Sequence, residues 1–117
     1  MLTLSPAVRV FLALGATDLR LGFDGLAAIA REAIGRDPLS GALFVFSNSR
    51  RTRIRVLTWD GSGYWLMTKR LEAGTFAWPR GEPGIKSVSL RGEELAALLA
   101  GVEVEVRRRP KYERRPA

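Results

Sequence analysis

The chain has 117 residues, 46% of them hydrophobic and 26% charged, which sizes it for one folded domain with a modest core and excludes a disordered polymer. Nineteen basic residues against twelve acidic give a formal net charge of +7, which favours a polyanionic partner such as nucleic acid over an anionic membrane surface. Cysteine and histidine are both absent, so a disulfide framework, a thiolate nucleophile, a His-based triad and a His-ligated metal are all excluded, and no metal or cofactor is expected.

Residues 7–14, AVRVFLAL, read as a first strand that ends at Gly15. Arg9 interrupts the apolar run, and the run is far too short to span a bilayer. No membrane partner and a cytoplasmic location are therefore expected. Residues 15–25, GATDLRLGFDG, form a glycine-punctuated connection without the GxGxxG or Gly-Lys-Ser/Thr spacing of a phosphate-binding loop. From Asp24 to Ile34 the period becomes helical, with Phe23, Leu26, Ala27, Ala30, Ala33 and Ile34 on a single apolar stripe. Asp24 is expected to cap this helix, and Gly35 followed by Pro38 to end it. Its exposed face carries too few donors to read bases, so it is expected to pack on the core.

The centre of the chain, residues 43–79, holds all the tryptophans and reads as three or four short strands folded back on one another. Its clearest turn is Asp60-Gly61-Ser62-Gly63, between residues 53–59 and 64–71. Asp-Gly flanked by β-formers is a strong hairpin signal, because glycine accepts the positive φ of tight turns. A loop of those residues places Trp59 opposite Tyr64, Leu57 opposite Leu66, Arg55 opposite Thr68 and Arg53 opposite Arg70. The other face then pairs Thr58 with Trp65, Val56 with Met67 and Ile54 with Lys69. A slip of one residue would exchange the two faces.

Residues 74–79 look like a further short strand, followed by a turn-rich connection to an edge strand over residues 85–90. A short helix is expected over residues 93–100, with Leu95, Leu98, Leu99 and Val102 on one face and Gly101 as its stop. The two glutamates in its first turn suit the positive end of the helix dipole. Residues 107–117 change character: six basic residues and one acidic carry +5 of the net +7, with no apolar periodicity. Such a tail is expected to be disordered in isolation, and serves either as a solubilising end or as an arm that neutralises phosphates through Arg107, Arg108, Arg109 and Lys111.

A second basic group comprises Arg50, Arg51, Arg53 and Arg55, with Arg70 beside them across the hairpin. Arginines on a sheet face shared with Trp59 and Tyr64 can grip phosphates while the rings stack on unpaired bases. A solvated outer face whose aromatics protect the strands explains the same pattern equally well. Catalysis has little to stand on: Asp18, Asp24, Asp37 and Asp60 fall at turns or caps, where Asp has a structural task, and no acid–base constellation emerges.

Four stretches, VRVFLALGATDLRLGFDGLAAIA, DPLSGALFVF, RIRVLTWDGSGYWLMTKRLEAGTFAWP and SLRGEELAALLAG, together resemble the TnpB accessory-protein family encoded by the second open reading frame of insertion sequence 66 (IS-66) elements. The resemblance runs in order from about Val8 to Gly101. It implies a small protein of bacterial mobile elements, encoded beside a separate large transposase and needed with it for movement of the element. It is distinct from the RNA-guided nuclease of the same name, for which this chain is far too short. The family brings no catalytic residues to transfer. One departure is Arg91-Gly92, where relatives carry Thr or Ser followed by Pro, a better helix start.

The expected fold is α+β: a small, mostly antiparallel sheet with two short helices packed on one face, spanning residues 1–106, and a basic disordered tail over residues 107–117. The expected function is non-catalytic assistance to transposition, with DNA and the element's transposase as partners. The alternative is a pure protein–protein adaptor of the transposase.

Overall fold

The structure is a computed structural model and describes residues 7–101. Five strands and two helices follow in the order β1 (Val10–Ala13), α1 (Phe23–Ile29), β2 (Leu43–Ser47), β3 (Arg53–Trp59), β4 (Tyr64–Arg70), β5 (Ser87–Leu90) and α2 (Gly92–Leu99). They form one sheet of spatial order β4-β3-β2-β1-β5. All neighbours are antiparallel except β1 and β2, which run parallel with Phe11 opposite Phe44 and are joined through α1. The α+β class and the mostly antiparallel sheet are as expected. The expected tail, with Arg107, Arg108, Arg109 and Lys111, lies outside the described residues.

The β3–β4 register is the one the Asp-Gly turn dictates. Arg53 pairs with Arg70, Arg55 with Thr68, Leu57 with Leu66 and Trp59 with Tyr64. The loop closes with the Asp60 N–H on the Gly63 carbonyl at 3.0 Å, and Gly61 takes φ 103°. The Asp60 carboxylate accepts the Ser62 and Gly63 N–H groups and, through Oδ2, the Trp65 indole N–H at 2.8 Å.

One expectation is corrected: the helices lie on opposite faces of the sheet. Val10, Leu12, Leu43, Val45, Ile54 and Val56 pack against Leu95 and Leu98 of α2. Phe11, Ala13, Phe44, Phe46 and Leu57 pack against Leu26, Ala27 and Ala30 from α1 and the turn after it. Because successive strand residues alternate faces, a strand that is apolar at every position must be covered on both sides. The VFLA of β1 and the LFVF of β2 are of this kind, and both strands are buried along their whole length, Ser47 included.

Local chemistry sets the helix ends. The cap of α1 is Gly22, with Asp24 within the first turn, which corrects the expected Asp24 cap. The helix widens into a π-turn over Ala30–Ile34 and stops at Gly35, whose φ of 78° belongs to the left-handed region glycine tolerates. For α2, the Glu94 carboxylate accepts the Arg91 N–H at 2.7 Å and lies 3.5 Å from the Arg91 guanidinium. This is the glutamate half of a capping box; the other half, a side-chain acceptor for the first-turn N–H groups, is missing because an arginine side chain has only donors. At the other end Lys69 donates to the Leu99 carbonyl at 2.6 Å, placing a cation on the negative end of the helix. Residues 74–79, expected as a strand, are not paired into the sheet. They are held instead by the Phe76 N–H on the Arg51 carbonyl, by burial of Phe76, and by the Trp78 indole on the Ala13 carbonyl at 3.1 Å.

Candidate nucleic-acid interface

The face of β3 and β4 that turns toward α1 carries Arg53, Arg55, Leu57 and Trp59 on one strand and Tyr64, Leu66, Thr68 and Arg70 on the other. Arginines and aromatics therefore share a face as the alternation requires, but they occupy its two ends. Arg55 and Trp59 are four positions apart, about 13 Å at the rise of a strand, and the buried Leu57 lies between.

The aromatic end is committed to packing. The Tyr64 ring stacks on Phe23 of α1 at 6.4 Å between centroids and meets Trp59 edge-on at 5.0 Å. Both Trp59 and Tyr64 are half-buried. The exposed tryptophan is Trp65, 59% accessible on the opposite face and hydrogen-bonded to Asp60.

At the other end the arginines differ in their company. Arg70 is exposed and paired with Glu72 at 3.3 Å. Arg50 is exposed in the β2–β3 turn. Arg51, in the same turn, points inward: its guanidinium donates to the Leu14 carbonyl at 2.8 Å and lies 5.0 Å over the Trp78 ring. Burial lowers its pKa below the usual arginine range. Arg53 is exposed and Arg55 half-buried, with one Arg55 nitrogen donating to the Leu21 carbonyl at 3.3 Å. Neither forms an ion pair among the described residues.

Arg53 and Arg55 open onto a groove of about 510 Å³, lined also by Thr17, Asp18, Arg20, Asn48, Ser49 and Thr68. One wall is the turn after β1, tied down by the Thr17 N–H on the Ser47 carbonyl at 2.8 Å. The Arg20 guanidinium grips the Asp18 carboxylate with two bonds of 3.0 Å. The guanidinium and backbone N–H of Arg20 hold the Asp18 carboxyl down to about 2, and Asp18 in turn raises the arginine. The other wall is the turn after β2. There Asn48 Oδ1 accepts the N–H groups of Thr52 and Arg53, at 3.0 and 3.1 Å, and its amide donates to the Thr52 hydroxyl.

Sequence reasoning missed Thr17, Asp18, Arg20, Asn48 and Ser49. Their available signal was weak: Asp and Asn in turns directly after two strands, 30 residues apart in the chain. Parallel pairing of β1 with β2 brings those turns side by side.

A sheet covered on both faces, with an arginine-lined groove at one end, defines a small basic α+β domain. Comparison with known proteins gives its family: the IS66 Orf2-like profile matches residues 8–109, and the chain belongs to that family. Membership implies an accessory role in transposition of IS66-type insertion elements. Two uncharacterized proteins of Sinorhizobium fredii (strain NBRC 101917 / NGR234) are similar to it throughout. The protein y4hO is 40% identical over 103 residues, covering 88% of each chain. The protein y4jC is 38% identical over 107 residues, covering 91% of this chain and 90% of its own. No solved structure matches the chain.

Proposed function

We propose that this protein assists transposition without catalysing it, by binding DNA through the arginine end of the β3–β4 face. The observation that carries this reading is the row in which Arg53 lies directly opposite Arg70, with Arg55 one row further along. Like charges directly opposite on a sheet destabilise it, by up to about 1 kcal/mol on the scale of cross-strand pairs. The nearby carboxylates offset only part of this: the exposed Glu72 pairs with Arg70, Asp18 is held by Arg20, and Arg53 and Arg55 form no ion pair among the described residues. A phosphate backbone supplies the missing counter-charge, and such contacts give affinity without reading sequence. With Tyr64 stacked on Phe23 and Trp59 edge-on to Tyr64, the aromatic end contributes stability to this face and leaves the DNA contact to the arginines.

The test is a duplex-binding titration of the Arg53→Gln/Arg55→Gln variant over a range of salt. Removing two phosphate contacts should lower the slope of log affinity against log salt by about 2. The melting temperature should fall by no more than about 6 °C, because Arg53 is exposed and the half-buried Arg55 gives up one hydrogen bond, to the Leu21 carbonyl, worth about 1.5 kcal/mol at most. An unchanged affinity and slope refutes DNA binding by this face. If that variant also loses capture of the transposase in a pull-down without DNA, the adaptor reading replaces it.

A further inference from the structure

We infer that the groove between the turn after β1 and the turn after β2 is a discrete anion site that seats one phosphate of the DNA backbone between Arg53 and Arg55, with Arg20 at its rim. This inference rests on the reading that the face meets DNA, and adds to it where and how one phosphate is held.

Three observations converge. The first is charge: Arg20, Arg53 and Arg55 against Asp18 leave the groove at +2, and Asp18 is already neutralised by a two-pronged bond to Arg20. The second is preorganisation. Arg55 is half-buried and fixed through one nitrogen on the Leu21 carbonyl, which leaves its other N–H groups for a ligand. The Arg53 backbone is fixed by Asn48, and Thr17 by Ser47. A guanidinium held in place before binding loses less entropy on meeting a phosphate than one on a free stem. The third is position. The groove lies outside the carboxyl ends of β1 and β2, the two parallel strands, where open sheets with crossover helices present their ligands.

The neutral lining fits the same ligand. Thr17, Ser49 and Thr68 bring hydroxyls, which donate to phosphate oxygens at no cost in charge. The walls hold neither an aromatic ring nor an aliphatic side chain larger than Leu19, so a stacked base finds no platform there. A tetrahedral oxyanion is the group that uses paired guanidinium forks together with hydroxyls.

The test replaces Thr68 by Phe. This side chain fills the groove, suits an exposed strand position and leaves net charge unchanged. Inorganic phosphate is titrated into the 15N-labelled parent against chloride at equal ionic strength, and both proteins are titrated with duplex DNA. The parent should show saturable shifts confined to residues 16–20, 48–49, 53, 55 and 68. Thr68→Phe should lose those shifts and bind duplex about tenfold more weakly, the loss expected of one charge-assisted contact. Scattered, non-saturating shifts with phosphate overturn the site. So does a Thr68→Phe protein that binds duplex like the parent, and in that case DNA binding by the wider face still stands. A parent that saturates with phosphate yet binds no DNA overturns both the DNA reading and the assignment of this groove to a backbone phosphate.

Discussion

Arg51 is a structural arginine set beside the ones proposed to bind. It sits in the β2–β3 turn with φ 57°, the single positive-φ residue other than glycine among the described residues. Its guanidinium donates to the Leu14 carbonyl at 2.8 Å and covers Trp78 at 5.0 Å, while its own carbonyl accepts the Phe76 N–H at 2.7 Å. One side chain thus joins the end of β1, the β2–β3 turn and the extended residues 74–79. Truncation to Ala removes a hydrogen bond from a charged donor, about 1.5 to 3 kcal/mol when well buried, and a cation–π contact of about 0.5 to 1 kcal/mol. Half-burial places the sum near the low end, about 2 to 3 kcal/mol. At about 2.1 cal/mol/K of unfolding entropy per residue, a chain of this size melts roughly 4 °C lower per kcal/mol, so Arg51→Ala should melt about 8 to 12 °C below the parent. Arg51→Gly should recover about 1 kcal/mol of that, because glycine accepts the left-handed backbone without strain. Thermal unfolding by circular dichroism measures both shifts, and duplex titrations well below the midpoint measure binding of the folded variants. Binding should change by less than about threefold if no phosphate contact is lost. A midpoint within about 2 °C of the parent, coupled to a tenfold loss of DNA affinity, would refute the latch and return Arg51 to the binding surface.

Two further expectations concern the hairpin and the layers. The Ser62 and Gly63 N–H groups and the Trp65 indole depress the Asp60 pKa from 3.8 to about 2, with the Ser62 backbone the largest influence. A depressed carboxyl stabilises the fold above its unfolded pKa, and this contribution is lost as pH falls from about 4 toward 2. The Trp65 indole 15N–1H resonance should titrate with a midpoint near the lower value, and a midpoint near 3.8 contradicts the loop geometry. Leu26→Ala and Leu98→Ala each empty a fully buried site on opposite sides of the sheet and should each cost about 2 to 5 kcal/mol. Their urea-unfolding free energies should add within about 0.5 kcal/mol, whereas a larger coupling would place both leucines in one layer.

Much of the fold was legible because short-range chemistry determines it. The Asp60–Gly63 turn fixes its own loop length, and loop length fixes register, so every cross-strand pair of β3 and β4 follows from four residues. Gly35 and Gly101 marked helix ends, and both take positive φ. The layering was misread for a physical reason. The alternation of arginines with apolar residues in β3 describes one half-covered strand and does not carry over to the rest of the sheet. The continuous apolar runs of β1 and β2 carried the contrary message, since each needs cover on both sides. Residues 74–79 look like a strand from composition, yet Trp78 and Phe76 are used as packing and hydrogen-bonding anchors rather than as partners in a ladder. The arginine cluster was visible in the sequence, while the groove beside it was not. Thr17, Arg20, Asn48 and Ser49 become neighbours only after β1 and β2 pair in parallel, and no local pattern encodes a parallel pairing.

The position of the groove follows from how little of the sheet α1 covers. The helix and its π-turn span Phe23 to Ile34, about 18 Å at an ordinary helical rise. Its start touches the hairpin, with Phe23 on Tyr64 and the preceding Leu21 carbonyl on Arg55. Its buried residues then pack into the layer formed by Phe11, Phe44, Phe46 and Leu57 of β1, β2 and β3. Positions 53, 68 and 70 are left exposed and 55 half-covered, so they must carry side chains compatible with water. Solvation alone would accept either sign, and a strip selected only for solubility gains cross-strand pairs by setting Lys or Arg against Glu. Here Arg53 stands opposite Arg70, and Arg55 stands opposite a neutral threonine. Of the acidic groups beside this patch, Asp18 is engaged by Arg20 and Glu72 pairs with Arg70 alone, so Arg53 and Arg55 form no ion pair among the described residues. It is this repetition of one sign on a strip that needed only polarity, more than the total charge of the chain, that supports the proposed anion contact over a face that merely meets water.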